Sequence, residues 1–183
     1  MKTFAIANQK GGVGKTTTAV NLSAALTDYG KKVLLVDIDP QGNATSGLGI
    51  EKNDLKRSIY DVLIDDENID EVVHETSNMN LDIIPANISL AGAEIELVSA
   101  ISRELRLKKA FEKLSGSYDY CIIDCPPSLS LLTINAFTAA DGILIPVQAE
   151  YYALEGLSQL INTIELVKRH LNTELAIEGV LLT

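Results

Sequence analysis

Lys-Gly-Gly-Val-Gly-Lys-Thr-Thr, at residues 10–17, joins an apolar run at residues 4–7 to a helix-like segment at residues 19–26. Glycine adopts backbone angles that other residues avoid, so the N–H groups of such a loop can turn inward. The N-terminus of the following helix adds a partial positive charge. The stretch therefore predicts a phosphate-binding loop between the first strand and the first helix of an α/β domain.

Each part of this loop has a predicted role in holding a nucleotide. Lys15 is expected to contact the terminal phosphates, and the hydroxyl of Thr16 to ligate Mg²⁺. A glycine-rich turn without a ligand is the alternative, but strand, loop and helix follow in the order that a nucleotide site requires. The predicted nucleotide-binding residues are Gly11, Gly12, Val13, Gly14, Lys15, Thr16 and Thr17.

The composition is that of one globular domain. The chain has 183 residues, of which 46% are hydrophobic, and this is enough for a substantial core. No apolar stretch approaches the roughly 18 to 20 uncharged residues of a membrane span, and the first strand begins too early to leave room for a signal peptide. We therefore expect a cytoplasmic protein.

The net charge of −10 argues against DNA binding unless the basic residues are clustered. One cluster is predicted on a helix, and it consists of Arg103, Arg106, Lys108, Lys109 and Lys113. Arg106, Lys109 and Lys113 share a face, because they are three and four residues apart. A solvated helix face is the ordinary interpretation of this pattern, and nucleic-acid contact is the alternative.

The two cysteines, Cys121 and Cys125, lie on either side of Ile122-Ile123-Asp124. Two thiols without a nearby histidine cannot complete a four-ligand zinc site. They are predicted to be small buried side chains, with an intermolecular metal or redox role as the alternative.

Apolar patterning predicts alternating strands and helices along the chain. Strands are predicted at residues 2–7, 33–37, 81–85, 118–124, 142–148 and 176–183. Helices are predicted at residues 15–29, 91–114, 129–140 and 153–171, with an extended loop at residues 42–54. Repeated β-α-β order requires right-handed crossovers and helices on both faces of the sheet. The predicted fold is a doubly wound, mostly parallel α/β sheet of the P-loop NTPase class, with residues 1–183 in a single domain.

Ligands of such sheets collect at the carboxyl ends of the strands. In this sequence an acidic residue, Asp124, directly follows the predicted strand residues 120–123. Mg²⁺ prefers oxygen ligands and keeps several waters, so Asp124 is predicted to hold the ion through a water while Thr16 ligates it directly. A buried aspartate that caps the next helix is the alternative.

Asp37 and Asp39 lie at the end of the second strand and are two residues apart, so they project to the same side. Asp39 is one step farther out, near the expected position of an attacking water, which its carboxylate could orient or deprotonate. Asp37 is predicted to support the Mg²⁺ shell. A simple turn at residues 39–42 is the alternative for Asp39, and the two interpretations are compatible.

The spacing of the lysines identifies a subclass of phosphate-binding loop. The usual pattern is Gly-x4-Gly-Lys-[Ser/Thr], but Gln9 stands at the first position here and Lys10 at the second. Two lysines five residues apart, Lys10 and Lys15, resemble the deviant Walker A group of ParA-type partition ATPases, MinD-type division regulators and nitrogenase iron proteins. Within that group the runs at residues 8–17, 37–45, 124–128 and 146–151 are most similar to ParA/Soj-type partition ATPases.

This resemblance implies ATP and Mg²⁺ as ligands, and ATP hydrolysis that is slow without a partner. Lys10 is implied to reach across an ATP-dependent, face-to-face homodimer and contact the phosphates of the other copy. Asp39 is implied to be required for hydrolysis. In this family the ATP dimer binds DNA nonspecifically, and a ParB-type centromere-binding protein stimulates hydrolysis and release. The implied function is therefore DNA partitioning, in a cytoplasmic protein that is nucleoid-associated at full length.

Two other classes within the deviant Walker A group remain open. One is a MinD-type membrane-positioning ATPase, which would require a C-terminal amphipathic helix. The other is a metabolic or cofactor-assembly ATPase, for which Cys125 beside Asp124 is the only hint.

Two expectations concern the C-terminal third of the chain. ParA-type proteins typically continue for some tens of residues past the strand at residues 176–183, so we expect that part to be absent and residues 180–182 to lie on an unpaired sheet edge. Glu150, Tyr151 and Tyr152 follow a strand end. Glu150 is predicted to cap the next helix, with contact to nucleotide or to a dimer partner as the alternative.

Overall fold

The structure is a computed structural model that describes the backbone of residues 1–149 and 153–183. Glu150, Tyr151 and Tyr152, for which a capping role or a nucleotide contact is predicted above, lie outside the described residues.

Among the residues that the structure describes, seven strands form one sheet. They are β1 (Lys2–Ile6), β2 (Val33–Asp37), β3 (His74–Glu75), β4 (Leu81–Ile84), β5 (Tyr120–Asp124), β6 (Gly142–Val147) and β7 (Ala176–Leu182). Their order across the sheet is β3-β4-β2-β5-β1-β6-β7. β3 pairs antiparallel with β4, and every other pairing described is parallel. The predicted doubly wound, mostly parallel α/β sheet is confirmed.

β2 shows why the sheet is covered on both faces. Leu34 and Val36 pack into one apolar cluster and Val33 and Leu35 into another, because successive side chains of a strand point to opposite faces. All four residues are fully buried. A strand that is apolar on both faces is stable only in the interior of such a sheet.

The described helices lie on both faces of the sheet. They are α1 (Lys15–Asp28), α2 (Asn43–Gly47), α3 (Ile59–Ile64), α4 (Leu90–Glu96), α5 (Arg106–Lys113), α6 (Leu131–Ala139) and α7 (Ala153–His170). α1 and α2 pack on one face, and α3 to α7 pack on the other. None of the described helices is both long enough and apolar enough to cross a membrane.

The prediction of one long helix at residues 91–114 is wrong, because non-helical residues separate α4 from α5. Two short 3-10 turns, Leu97–Ser99 and Arg103–Leu105, replace the middle of the predicted helix, and Ser102 between them has a left-handed backbone with φ 52°. The buried side chain of Asn135 on α6 holds this break, since it donates to the carbonyl of Arg103 and accepts from the N–H of Leu107. A partner about thirty residues away in the sequence therefore decides the local structure.

The sequence analysis missed α2, α3, β3 and a 3-10 turn at Ile69–Glu71. α2 lies inside the predicted extended loop, and Ser58 precedes α3 as its N-cap, in a capping box that includes Asp61. β3 has two residues and pairs antiparallel at the edge of the sheet.

The opposite edge of the sheet is β7. Its side chains Ile177, Val180, Leu181 and Leu182 are between 43% and 72% exposed. The sheet order ends at this strand, so the predicted unpaired edge at residues 180–182 is confirmed for the part of the chain that the structure describes.

Candidate nucleotide-binding site

The loop at residues 10–17 connects β1 to α1, as predicted. Gly12 and Gly14 have positive φ angles of 74° and 83°, which favour glycine. Gly14 is the N-cap of α1 and has no side chain to accept hydrogen bonds from the first turn. The N–H groups at the start of α1 are therefore oriented for an anion, such as the phosphates of a nucleotide.

Hydrogen bonds from the ends of β6 and β7 fix the shape of the loop. Asn8 precedes the loop and is buried. Its side-chain amide accepts from the loop and donates to β6. The bonds are Asn8 Nδ2 to Pro146 O (2.7 Å), Lys10 N to Asn8 Oδ1 (3.0 Å), Gln148 Nε2 to Gly12 O (3.0 Å) and Thr183 Oγ1 to Val13 O (3.1 Å). Sequence analysis missed these supporting roles, because the partners are distant in the chain.

Lys15 is held inside the loop. Its ammonium donates to the carbonyl of Lys10 at 3.0 Å, and the residue is only 7% exposed. Burial lowers the pKa of Lys15, while the carboxylates of Asp124 and Asp39 act in the opposite direction. The same carbonyl contact places Lys10 directly beside the predicted phosphate-binding lysine.

A cavity of about 370 Å³ opens over the loop. Its lining residues are Gly11, Gly12, Gly14, Lys15, Thr16, Thr17, Asp39, Gln41, Asn43 and Pro127. Val13 contributes only backbone to the loop, since its side chain is buried in the core. The structure thus brings the predicted nucleotide-binding residues together with Asp39 around one space, although Asp39 is more than twenty residues away in the sequence.

Asp124 is fully buried at the end of β5, and neither of its side-chain oxygens has a hydrogen bond with the described residues. Burial, followed by the negative charge of Asp37, raises the pKa of Asp124 to about 8. The Thr16 hydroxyl and the Lys15 ammonium favour the charged form without cancelling this effect, and the Thr16 contact does not reach hydrogen-bond geometry. A buried, unsatisfied carboxylate is costly, and a cation beside it would remove that cost.

The donor set around Asp124 fits Mg²⁺. Carboxylate and hydroxyl oxygens are the ligands that this ion prefers, and Thr16 lines the adjoining cavity. The unsatisfied oxygens of Asp124 and the hydroxyl of Thr16 are the groups that would hold it.

Asp37 differs from Asp124 in that its carboxylate is already engaged. Oδ2 accepts from the backbone N–H and the hydroxyl of Thr45, both at 2.8 Å, and Oδ1 accepts from the N–H of Asp39 at 3.1 Å. Burial raises the pKa of Asp37 to about 6, and the hydrogen bonds from Thr45 and Asp39 oppose this shift. Asp37 therefore shapes the chain after β2, and its predicted part in the Mg²⁺ shell stays a prediction.

Asp39 combines the two interpretations made from the sequence. Its Oδ1 accepts from the N–H of Gln41 at 2.9 Å, and its carbonyl accepts from the N–H of Gly42 at 2.8 Å, so the residue forms a turn. It also lines the cavity over the loop and is 7% exposed. The turn needs glycine at position 42, where φ is 60° and a Cβ would lie 2.8 Å from the carbonyl oxygen of Ala86.

The basic cluster lies away from this cavity and is partly paired with acidic residues. Lys113 donates to Asp66 at 3.0 Å, and Arg103 donates to Glu104 at 2.8 Å. Lys113 lowers the pKa of Asp66, and Arg106 and Lys109 contribute in the same direction. This arrangement is that of the solvated helix face predicted as the ordinary interpretation. Exposed ion pairs of this kind contribute little stability.

Comparison of the sequence places the chain among known proteins. A protein-family profile described as an AAA domain matches residues 1–177. The sporulation initiation inhibitor protein Soj of Bacillus subtilis is 68% identical over 182 residues, which cover all of this chain and 72% of Soj. The chromosome partitioning protein ParA of Myxococcus xanthus is 58% identical over 178 residues, which cover 97% of this chain and 63% of ParA. The chain thus spans about two thirds of the length of these relatives.

Two similar solved structures contain a nucleotide. Cobyrinic acid a,c-diamide synthase from Mycobacterium smegmatis, with bound ADP and magnesium, has a TM-score of 0.96 and 44% identity, covering all of this chain and 74% of the other. A variant of McdA from Cyanothece in complex with ATP has a TM-score of 0.90 and 33% identity, covering 98% of this chain and 69% of the other.

Proposed function

The chain belongs to the ParA/Soj family of partitioning ATPases, and we propose that it acts as an ATP-driven dimerisation switch in DNA segregation. It is a P-loop ATPase whose ligands are ATP and Mg²⁺, in keeping with structural neighbours that hold these ligands. The observation that carries the proposal is the cavity that joins Lys15 and Thr16 of the loop to Asp39 of the turn after β2.

The chain's own residues supply what phosphoryl transfer to water needs, which is mainly alignment and charge neutralisation. Lys15 and the N-terminus of α1 bind and orient the phosphates, and Asp39 orients the attacking water or accepts its proton. Thr16 and Asp124 would hold Mg²⁺, which would supply positive charge to neutralise the phosphate oxygens. The Asp39 carboxylate accepts a hydrogen bond from the N–H of Gln41, which fixes it beside the cavity. Little reorganisation of this side chain is therefore needed for hydrolysis.

Lys10 is proposed to act on the nucleotide of a second copy, since Lys15 already serves the phosphates within its own chain. Such a lysine supplies the positive charge in trans that an arginine finger gives elsewhere. Gly11 supports a close approach of two copies. A Cβ built on Gly11 meets nothing within 4 Å in the single chain, so the fold of one copy does not require glycine there. ATP would favour the dimer and ADP would release it, because only ATP carries the γ-phosphate.

The wider assembly is proposed from the relatives. A ParB-type centromere-binding protein would stimulate hydrolysis, and the ATP dimer of the full-length form would bind nonspecific DNA at the nucleoid. The name of the relative from Myxococcus xanthus, a chromosome partitioning protein, supports this role in partition.

The metabolic alternative had Cys125 as its only hint, and the structure gives this residue a different environment. Cys125 is 1% exposed, and burial raises the pKa of its thiol well above the ordinary value. Cys121 is also buried and free. Cysteines that ligate a cluster between two subunits must be accessible as thiolates, so this environment favours the predicted role in the core.

The switch is tested by measuring molar mass in solution by light scattering on a size-exclusion column. The Asp39→Ala variant is used with ATP and Mg²⁺, and separately with ADP, so that hydrolysis does not deplete ATP. A dimer with ATP and a monomer with ADP are expected. A monomer in both nucleotides would overturn the role proposed for Lys10, and a dimer in both would overturn control by the γ-phosphate.

A further inference from the structure

The chain doubles back on the turn that carries Asp39. α2 follows this turn directly, and just past its end Gly49 has a left-handed backbone with φ 82°, which favours glycine. The N–H of Ile50 donates back to the carbonyl of Thr45 at 3.2 Å and closes a Schellman motif. This reversal returns the residues after α2 to the turn at residues 39–42, which we call the Asp39 turn.

Lys52 is the residue that reaches the Asp39 turn. Its ammonium donates to the carbonyl of Gln41 at 2.6 Å, and the residue is only partly exposed. Its stem lies close to Gly42, since a Cβ built on that glycine would be 3.1 Å from Lys52 Cδ. The apolar stem and the charged end of Lys52 are thus both placed on the turn.

The hydrogen bond from Lys52 is connected to Asp39 through one peptide group. The C=O of Gln41 and the N–H of Gly42 belong to the same planar unit. Lys52 holds the oxygen of this unit, and the N–H of the unit donates to the carbonyl of Asp39 at 2.8 Å. The preceding N–H, that of Gln41, donates to the Asp39 carboxylate at 2.9 Å. Lys52 therefore stabilises the peptide orientation that fixes both the backbone and the carboxylate of Asp39.

This contact differs from that of an ordinary surface lysine. In a chain with a net charge of −10, an ammonium is attracted first of all to carboxylates. Glu51 and Asp54 lie within two residues of Lys52, yet within the part of the chain that the structure describes neither forms an ion pair with it. A hydrogen bond from a charged donor is also stronger than one between neutral groups. The ammonium is thus committed to the turn and not to its acidic neighbours.

Lys52 lies outside the cavity over the phosphate-binding loop. Among the described residues, it lines a neighbouring cavity of about 430 Å³, and Gln41 lines both cavities. Lys52 is therefore placed to act on the nucleotide site through the Asp39 turn and not by touching the phosphates.

We propose that Lys52 is a positioning residue for ATP hydrolysis, which keeps the carboxylate of Asp39 turned to the attacking water. The inference rests on the hydrolytic role proposed for Asp39 above and adds the group that holds that residue in place. Phosphoryl transfer to water depends mainly on alignment, so a loosened turn slows hydrolysis while the nucleotide stays bound.

The test compares Lys52→Met, Lys52→Arg and Lys56→Met. Methionine keeps an unbranched apolar stem without the charge, and arginine keeps a charged donor of similar reach. Lys56 is a matched control, because it lies in the same segment, is exposed and lines a different cavity with Arg57 and His74. Hydrolysis is measured in a single turnover, with protein in excess over ATP and with Mg²⁺, so that product release does not limit the rate. Affinity is measured separately with a non-hydrolysable ATP analogue.

Lys52→Met is expected to lower the single-turnover rate at least about tenfold and to change the dissociation constant of the analogue by less than about twofold. Lys52→Arg should keep most of the rate, and Lys56→Met should change neither quantity. Binding of the analogue also checks that each variant is folded. A change in rate without a change in affinity, restored by arginine, is not expected of a lysine that only stabilises the fold.

The possible failures are distinguishable. If the unmodified chain does not hydrolyse ATP, or if Asp39→Ala hydrolyses it at the normal rate, the role proposed for Asp39 is wrong and this inference fails with it. If Asp39→Ala loses hydrolysis while Lys52→Met keeps the normal rate, the role of Asp39 stands and Lys52 does not position it. An equal loss in Lys56→Met would also overturn the inference, since it would show a general effect of charge, and so would a loss that Lys52→Arg does not restore or that affinity matches.

Discussion

The ends of β2 and β5 carry two buried carboxylates that face the same region and have opposite surroundings. Asp37 and Asp124 are in register on neighbouring strands. Asp37 accepts three hydrogen bonds, whereas the oxygens of Asp124 have none with the described residues. The hydrogen-bonded carboxylate of Asp37 organises the protein itself, whereas the unsatisfied carboxylate of Asp124 is the one proposed to hold a cation. Hydrogen bonding distinguishes the two residues more clearly than burial does, because both are fully buried.

The largest expected effect comes from removing the charge of the unsatisfied carboxylate. Asp124→Asn should lower the rate of ATP hydrolysis at saturating Mg²⁺ by at least about 100-fold, because the metal loses an anionic partner. Steady-state phosphate release measures this effect. Titration with Mg²⁺ is the sharper readout, since a structural role alone would not shift the concentration of Mg²⁺ that gives half-maximal activity.

The comparison also predicts how stability depends on pH without nucleotide. The pKa is raised to about 6 for Asp37 and to about 8 for Asp124, so the folded state binds more protons than the unfolded state above about pH 4. The contribution of these two carboxyl groups to the free energy of unfolding should therefore be highest below about pH 4 and fall as pH rises, levelling off near pH 6 for Asp37 and near pH 8 for Asp124, with a loss of roughly 5 kcal/mol between pH 5 and 8.5. Urea denaturation at several pH values measures the slope.

The matched control for this pH dependence is Asp124→Asn without nucleotide. It should be more stable than the unmodified protein at pH 8.5 and show a shallower slope, because it removes the unpaired charge. An unchanged slope would contradict the assignment of Asp124 as an unsatisfied carboxylate.

Asp37→Asn should have the opposite effect on stability. The amide places an NH₂ group against N–H donors that now point at a carboxylate, so we expect a loss of about 2 kcal/mol at pH 7. Urea denaturation beside Asp124→Asn gives the direct comparison. If both variants changed stability in the same direction, the contrast between the two strand ends would fail.

A smaller effect is expected at Thr45, the partner of Asp37. Thr45→Val keeps the shape but removes the hydroxyl that donates to Asp37 and accepts from the N–H of Ala86, which should cost about 1–2 kcal/mol. Thr45→Ser retains the hydroxyl and should lose less than Thr45→Val. Equal losses in the two variants would attribute the effect to packing of the methyl group.

Local sequence patterns were sufficient for the parallel strands and for much of the candidate site. The parallel strands were predictable because each is a short apolar run, and Lys15, Thr16 and Asp124 follow from the phosphate loop and a strand end. Contacts between distant residues were not predictable. The break that Asn135 holds before α5 and the bond from Ala86 to Thr45 join parts of the chain 32 and 41 residues apart. The contrast between Asp37 and Asp124 depends on such contacts, so the sequence assigned both of them to the metal.

Lys15 is proposed to bind the nucleotide, and Asp39 to promote its hydrolysis, at the same cavity. The direct test measures ATP affinity and ATP turnover side by side for Asp39→Ala and Lys15→Ala. The account predicts that Asp39→Ala binds ATP with nearly unchanged affinity and does not hydrolyse it, whereas Lys15→Ala binds no ATP in the measurable range. An Asp39→Ala protein that hydrolyses ATP at the normal rate would contradict the account.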